Sequence, residues 1–183
     1  MNAVNLSSYN NSWYQPAGKL KILLWIITSF AFFEHSLPIP NRIKVSLLRL
    51  FGANIGKGVV IKPGCKVKYP WFLTISNFVW LGEQCWIDNL AQVTIEDHCC
   101  ISQGAYLLTG NHDFSKSTFD LIIKPIHIKQ GSWVGAKATV CPGVTLNEHS
   151  ILSVGSVATK DLEASGIYQG NPAILKRQRT ISC

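Results

Sequence analysis

Residues 128–158 read IKQGSWVGAKATVCPGVTLNEHSILSVGSVA, and their spacing decides the fold. Ile128, Val134, Val140, Leu146, Leu152 and Ala158 recur at every sixth position without a slip. Four residues after the first five stand Ser132, Ala138, Val144, Ser150 and Ser156, all small or β-branched. A helix would space its apolar residues by about 3.6, and a half-buried strand would alternate them. A period of six with a second inward position at i+4 describes short parallel strands separated by corners, which is a hexapeptide-repeat β-helix. Three such sides close one triangular coil, and coils stack at the strand spacing of about 4.8 Å. The expected fold class is mainly β, a parallel β-helix behind an N-terminal helical segment.

The same beat starts upstream, at Ile55. It gives Ile55, Ile61, Val67 and Leu73, then Ile75, Leu81, Ile87 and Val93, then Ile95, Ile101 and Leu107. Each coil there has three sides of six and a two-residue widening at one corner. The i+4 residues Val59, Cys65, Val79, Cys85, Ala91, Cys99 and Ala105 keep the phase. Trp71 breaks it, so the third side of the first coil is expected to be irregular. Glycines at 56, 58, 64, 82, 104, 131, 135, 143 and 155 fall near the corners, where positive φ is expected. Between Leu107 and Ile128 the rhythm stops, and residues 108–127 read as a loop insertion without secondary structure. Solenoids carry such insertions on one face, often the functional one. This one holds Thr109-Gly110-Asn111-His112-Asp113-Phe114.

The chain therefore divides into an arm with helices at 1–53, a β-helix at 54–163 and a basic tail at 164–183. Residues 1–17 are polar, with Tyr9, Trp13 and Tyr14, and read as an arm lying on a surface, its own chain's or a neighbouring subunit's. A helix is expected from Asn41, as its cap, to about Phe51, ended by Gly52. Residues 19–33 are strongly apolar, yet shorter than the roughly 20 residues of a membrane span. They read either as a helix packed on the protein or as an interfacial helix on the inner membrane leaflet, aided by Lys19 and Lys21. The net charge of +7 points to an anionic partner: a phosphate-bearing cofactor, an acidic glycan or a membrane surface. Nucleic acid is disfavoured by the absence of a dense basic block. The six cysteines form no C-x-x-C pair, and three occupy inward repeat positions, so they read as free thiols in a reducing cytoplasm and not as metal ligands.

Gly131-Ser132-Trp133-Val134-Gly135, Pro142-Gly143-Val144-Thr145, Gly155–Asp161 and Gly170-Asn171-Pro172-Ala173 resemble the hexapeptide-repeat acyltransferases related to galactoside and maltose acetyltransferases. The apolar N-terminal segment, Leu48–Ala53 and the Asn-His-Asp loop look most like the WcaF group of colanic acid biosynthesis acetyltransferases. The resemblance implies a left-handed helix, a homotrimer with sites between subunits, and acetyl-CoA as acyl donor. By family position, Thr159, Lys160, Arg177 and Trp133 would contact the cofactor; Ile174 replaces a family Arg. Lys137 is added from charge alone.

Transfer to a sugar hydroxyl needs a base, and histidine, with a reference pKa of about 6.5, suits that work. His98 and His149 fall at repeat positions, His127 precedes a strand and His35 closes a helix; His112 alone stands in the long loop. The resemblance implies that it takes the hydroxyl proton; its neighbours Asn111 and Asp113 are the candidates for fixing its tautomer, and a backbone N–H is the expected partner of the oxyanion. No nucleophile elbow is present, so direct transfer is expected. The outward column Val60, Trp80, Cys100, Trp133 and Ile151 is apolar and expected at a subunit interface. Trp86, Asp88 and Asn89, beside Tyr106, are the expected sugar platform, with an aromatic face for the ring and a carboxylate for its hydroxyls. The rival readings are N-acetylation of a nucleotide amino sugar, a zinc hydratase, which would want a second loop histidine, and a non-catalytic trimeric scaffold.

Overall fold

The computed structural model describes residues 3–182; the first two residues of the arm and Cys183 of the tail lie outside them. Residues 54–170 wind into five complete three-strand coils and the start of a sixth. The first face stacks Asn54–Ile55, Leu73–Ile75, Val93–Ile95, Ile126–Ile128 and Thr145–Leu146 in parallel. The second stacks Val60–Ile61, Trp80–Leu81, Cys100–Ile101, Trp133–Val134, Ile151–Leu152 and Gly166–Gly170. The third stacks Lys66–Val67, Trp86–Asp88, Tyr106–Leu108, Thr139–Val140 and Val157–Ala158. The period-six residues Ile55, Leu81, Ile101, Leu107, Val134 and Leu152 all point inward and are buried. The small i+4 residues Cys65, Cys85, Ala105, Ser132 and Ser150 are buried beside them. The third side of the first coil keeps its strand, Lys66–Val67, and the irregularity at Trp71 falls in the corner after it, as the 3-10 turn Pro70–Phe72.

The corners separate two kinds of glycine. Gly58 and Gly131 have positive φ, but Phe78, His98 and His149 occupy the equivalent corner with φ of 56°, 58° and 59°. Each of these non-glycine residues donates its N–H to the preceding coil (Phe78 to Lys57, His98 to Asn77, His149 to Gln130), and that ladder offsets the cost of the left-handed backbone. At Gly56, Gly82 and Gly135 φ is not positive, contrary to expectation. There the next coil lies too close for a side chain: a Cβ on Gly135 would stand 2.6 Å from the Val154 nitrogen.

Helices α1 (Lys19–Phe32) and α2 (Asn41–Leu50) close the N-terminal end of the solenoid. The first coil's carbonyls have no preceding coil to bond, an open edge that invites pairing with other chains. Side chains fill the gap. Arg49 donates to the Ile55 carbonyl, Asn41 to Val59, buried Lys44 to Ile61, and the Trp25 indole to Val67. Asn41 therefore does not cap α2 with its side chain; Pro40 is the N-cap, and the Asn41 carboxamide also accepts from the Ile61 N–H. Burial pushes the Lys44 ammonium below the usual lysine range. At the other end the basic tail forms a strand. Ala173–Gln178 runs antiparallel to Gly166–Gly170 and adds the last strand to the second face.

Candidate active site

The insertion grows from the edge where the third face meets the first. In the first two coils that corner is the widened one, spanning 68–72 and 89–92; in the third coil the same corner becomes residues 109–125. It is an ordered hairpin, not a structureless loop, with Gly110–His112 paired to Leu121–Ile123. Thr109 fixes its base. Its hydroxyl donates to the Asp88 carbonyl at 2.9 Å and accepts from the Ala91 N–H at 3.1 Å. The tip is tied by Asp113, which accepts from the Ser115 hydroxyl and N–H, and by the Lys116–Asp120 pair at 3.0 Å. The Ser115 bonds hold the Asp113 carboxyl below the usual carboxylate range.

His112 is clamped. Its ring stacks on Phe119 with centroids 4.4 Å apart, and Tyr9 of the N-terminal arm meets it edge-on at 5.5 Å. Asn5 of the same arm donates its N–H to the Ser117 carbonyl, so the arm lies on its own chain's hairpin. The His112 Nδ1 stands 2.9 Å from the Phe119 carbonyl. A carbonyl only accepts, so Nδ1 carries the proton and Nε2 presents its lone pair. Phe119 reaches this position with φ of 52°, a left-handed conformation uncommon for a bulky residue. Neither residue expected to set the tautomer does so. Asn111 accepts from the His112 backbone N–H at 2.8 Å, and Asp113 is committed to Ser115. The residue that sequence reasoning missed is Phe119, and no sequence signal marks it, because the acting group is a backbone carbonyl.

On the third face, Trp86 of the second coil and Tyr106 of the third, just before the hairpin, stack with centroids 4.7 Å apart. The Tyr106 hydroxyl donates to Asp88 Oδ2 at 3.0 Å, and Lys68 Nζ lies 2.9 Å from Oδ1. Burial and the Asp88 charge push the Tyr106 hydroxyl above its usual range. Asn89 leaves the expected platform. It is wholly buried, accepting from the Tyr69 N–H and donating to the Tyr69 and Phe72 carbonyls, which makes it a corner brace.

The second face carries a groove of about 410 Å³ lined by Ser102, Trp133, Gly135, Ile151, Val154 and Arg177. Through Ser102 and Gln103 it continues into a hollow of about 260 Å³ that reaches Trp80 and Lys62. The column Val60, Trp80, Cys100, Trp133 and Ile151 stands in register along it. Trp80 is 62% and Trp133 44% exposed, and the Trp133 indole is pinned by donating to Ser102 Oγ at 2.8 Å. The five residues expected at the cofactor are therefore divided. Trp133 and Arg177 share the groove, and Lys137 lies at the corner between the second and third faces. Thr159 and Lys160 are exposed on the third–first edge, the edge that bears His112 two coils earlier.

No family model matches the chain. It is 37% identical over 166 residues to the "Putative colanic acid biosynthesis acetyltransferase WcaF" of Escherichia coli (strain K12), covering 91% of each chain. It is 26% identical to the galactoside O-acetyltransferase of the same organism, over 80% of this chain and 73% of that one. Among solved structures, a maltose O-acetyltransferase from Clostridium difficile 630 superposes with a TM-score of 0.79 at 17% identity, covering 90% of both chains. A galactoside acetyltransferase in complex with coenzyme A gives 0.77 at 23% identity, over 87% of this chain and 80% of that one. The coils are those of the left-handed parallel β-helix that these neighbours share, and the chain belongs to the hexapeptide-repeat acetyltransferases, in their WcaF group.

Proposed function

We propose that this protein is an O-acetyltransferase that moves an acetyl group from acetyl-CoA to a sugar hydroxyl in exopolysaccharide assembly, in the cytoplasm and as a homotrimer. One observation carries the catalytic assignment: the Phe119 carbonyl holds the proton of His112 on Nδ1, so Nε2 is a ready acceptor. Nε2 takes the proton of the sugar hydroxyl as the oxygen attacks the thioester carbonyl. The tetrahedral adduct collapses, the C–S bond breaks, and the imidazolium returns its proton to the departing thiolate. Nothing is left on the enzyme. The stacked Trp86–Tyr106 pair supports the sugar reading, since an aromatic face suits the apolar side of a pyranose.

The second-face groove fits the donor. Its wall is largely apolar for the pantetheine arm, with Arg177 at one end and Lys62 at the other for phosphates. It runs along the second face, whereas His112, Thr159 and Lys160 lie on the opposite edge of the triangular prism. One subunit cannot bring groove and base together, and a neighbour placed side by side supplies the missing half. That arrangement also covers Trp80 and Trp133. His112→Ala should lower kcat by about 10²- to 10⁴-fold, the range of a lost general base, while the thermal midpoint stays unchanged. Full activity in that variant would remove His112 as the base, and a wild-type protein without acetyl-CoA turnover would leave the scaffold reading in its place.

A further inference from the structure

We propose that the N-terminal cap of the solenoid is a docking surface for an anionic lipid bilayer. Helix α1 is apolar on both sides. Trp25 and Ser29 face the first coil and are buried, with Trp25 packed on Phe33 and Phe51. The opposite side carries Leu20, Leu23, Leu24, Ile27 and Phe30 at i, i+3, i+4, i+7 and i+10 spacing, the repeat of a single helix face. Leu20 is 69%, Ile27 58% and Phe30 75% exposed. A row of large apolar side chains left in water at this density marks an interaction site.

Charge selects the occupant. Residues 18–68 contain nine of the chain's 17 Lys and Arg but one of its 10 Asp and Glu, Glu34. Lys19, Lys21, Arg42 and Lys57 are exposed there. A second copy of the cap docked face to face would bring two such basic surfaces together, because a two-fold contact uses the same patch twice. A bilayer with anionic headgroups meets both features at once: the apolar row enters the interface, and the basic residues sit at the phosphate level. No helix of the described residues is long and apolar enough to cross a membrane. Contact is therefore made by the helix lying flat, with its inner side held by the protein body. A cap at the end of the coil stack leaves all three β-faces free for other contacts.

The test is co-sedimentation of the full chain with phosphatidylcholine vesicles, with and without phosphatidylglycerol. It involves no acetyl transfer, so its outcome is independent of the proposed chemistry. The wild-type protein should sediment with the anionic vesicles, and omitting phosphatidylglycerol or adding salt should weaken binding by about tenfold or more. Leu23→Ser/Ile27→Ser/Phe30→Ser should abolish sedimentation at unchanged particle mass and circular dichroism melt. Wild-type protein that stays in the supernatant with anionic vesicles at low salt overturns the proposal, whatever the variant does. So does a variant that binds equally well. A variant with a smaller particle mass would assign the face to a second copy instead.

Discussion

Residues 128–158 and residues 109–125 are neighbours in the chain, and each is held by hydrogen bonds, but they are held for different purposes. In the first stretch every coil repeats its neighbour: Trp133, Gly135 and Thr139 each donate an N–H to a carbonyl one coil on, at 2.9, 2.7 and 2.8 Å. The inward residues Ile128, Val134, Val140, Leu146 and Leu152 are completely buried. In the second stretch most side chains are exposed or half-buried, and a two-strand ladder with one ion pair at its tip carries the structure. Periodicity gives stiffness without singling out any residue. The break in periodicity produces one imidazole in a fixed orientation, on an edge the stiff part positions. Changes to the coils should therefore appear as lost stability, and changes at the site as lost rate or affinity.

The largest stability effect is expected where a coil has no room. Gly135→Ala would place a methyl 2.6 Å from the Val154 backbone nitrogen, an atom that cannot step aside without moving the coil. Overpacking of this kind costs about 1–3 kcal/mol, measurable as a shift in the urea midpoint. Because Gly135 also lines the groove, acetyl-CoA affinity should fall with it. A smaller effect, confined to binding, is expected at Arg177, which is exposed at the end of the groove. Arg177→Ala should raise KM for acetyl-CoA about tenfold through a lost charge-assisted contact, leaving kcat and the urea midpoint unchanged. A loss of stability there instead would make the last strand a structural closure with no part in the donor site.

The coils were legible because burial writes itself into residue type at a fixed period. Ile55 through Ala158 announce which way they face, and the outward column with Trp80 and Trp133 follows from the same register. What stayed hidden was structure made by backbone groups or by side chains serving distant backbone. The hairpin strand Gly110-Asn111-His112 has neither alternation nor β-branched residues, and only its partner Leu121–Ile123 makes it a strand. Asn41 looks like a helix cap, but its carboxamide bonds the edge of the first coil 18 and 20 residues away. Asn89 looks like a sugar ligand beside Asp88, yet burial commits it to the preceding corner. The basic residues of the tail gave no strand pattern, because Ala173–Gln178 pairs on a sheet edge with little of its surface buried. His112 itself was legible from the failure of the repeat; the carbonyl that orients it was not.

The central claim is that base and donor groove come from different subunits, and mixing two inactive variants tests it most directly. His112→Ala lacks the base but keeps the groove; a Trp133→Ala/Arg177→Ala variant lacks the groove but keeps the base. Co-refolded in equal amounts, random side-by-side trimers should regain about a quarter of the wild-type activity, since each site then draws one half from each of two neighbours. Activity that stays at the level of the separate variants, in trimers shown by mass to be mixed, would contradict the account and put the whole site on one chain.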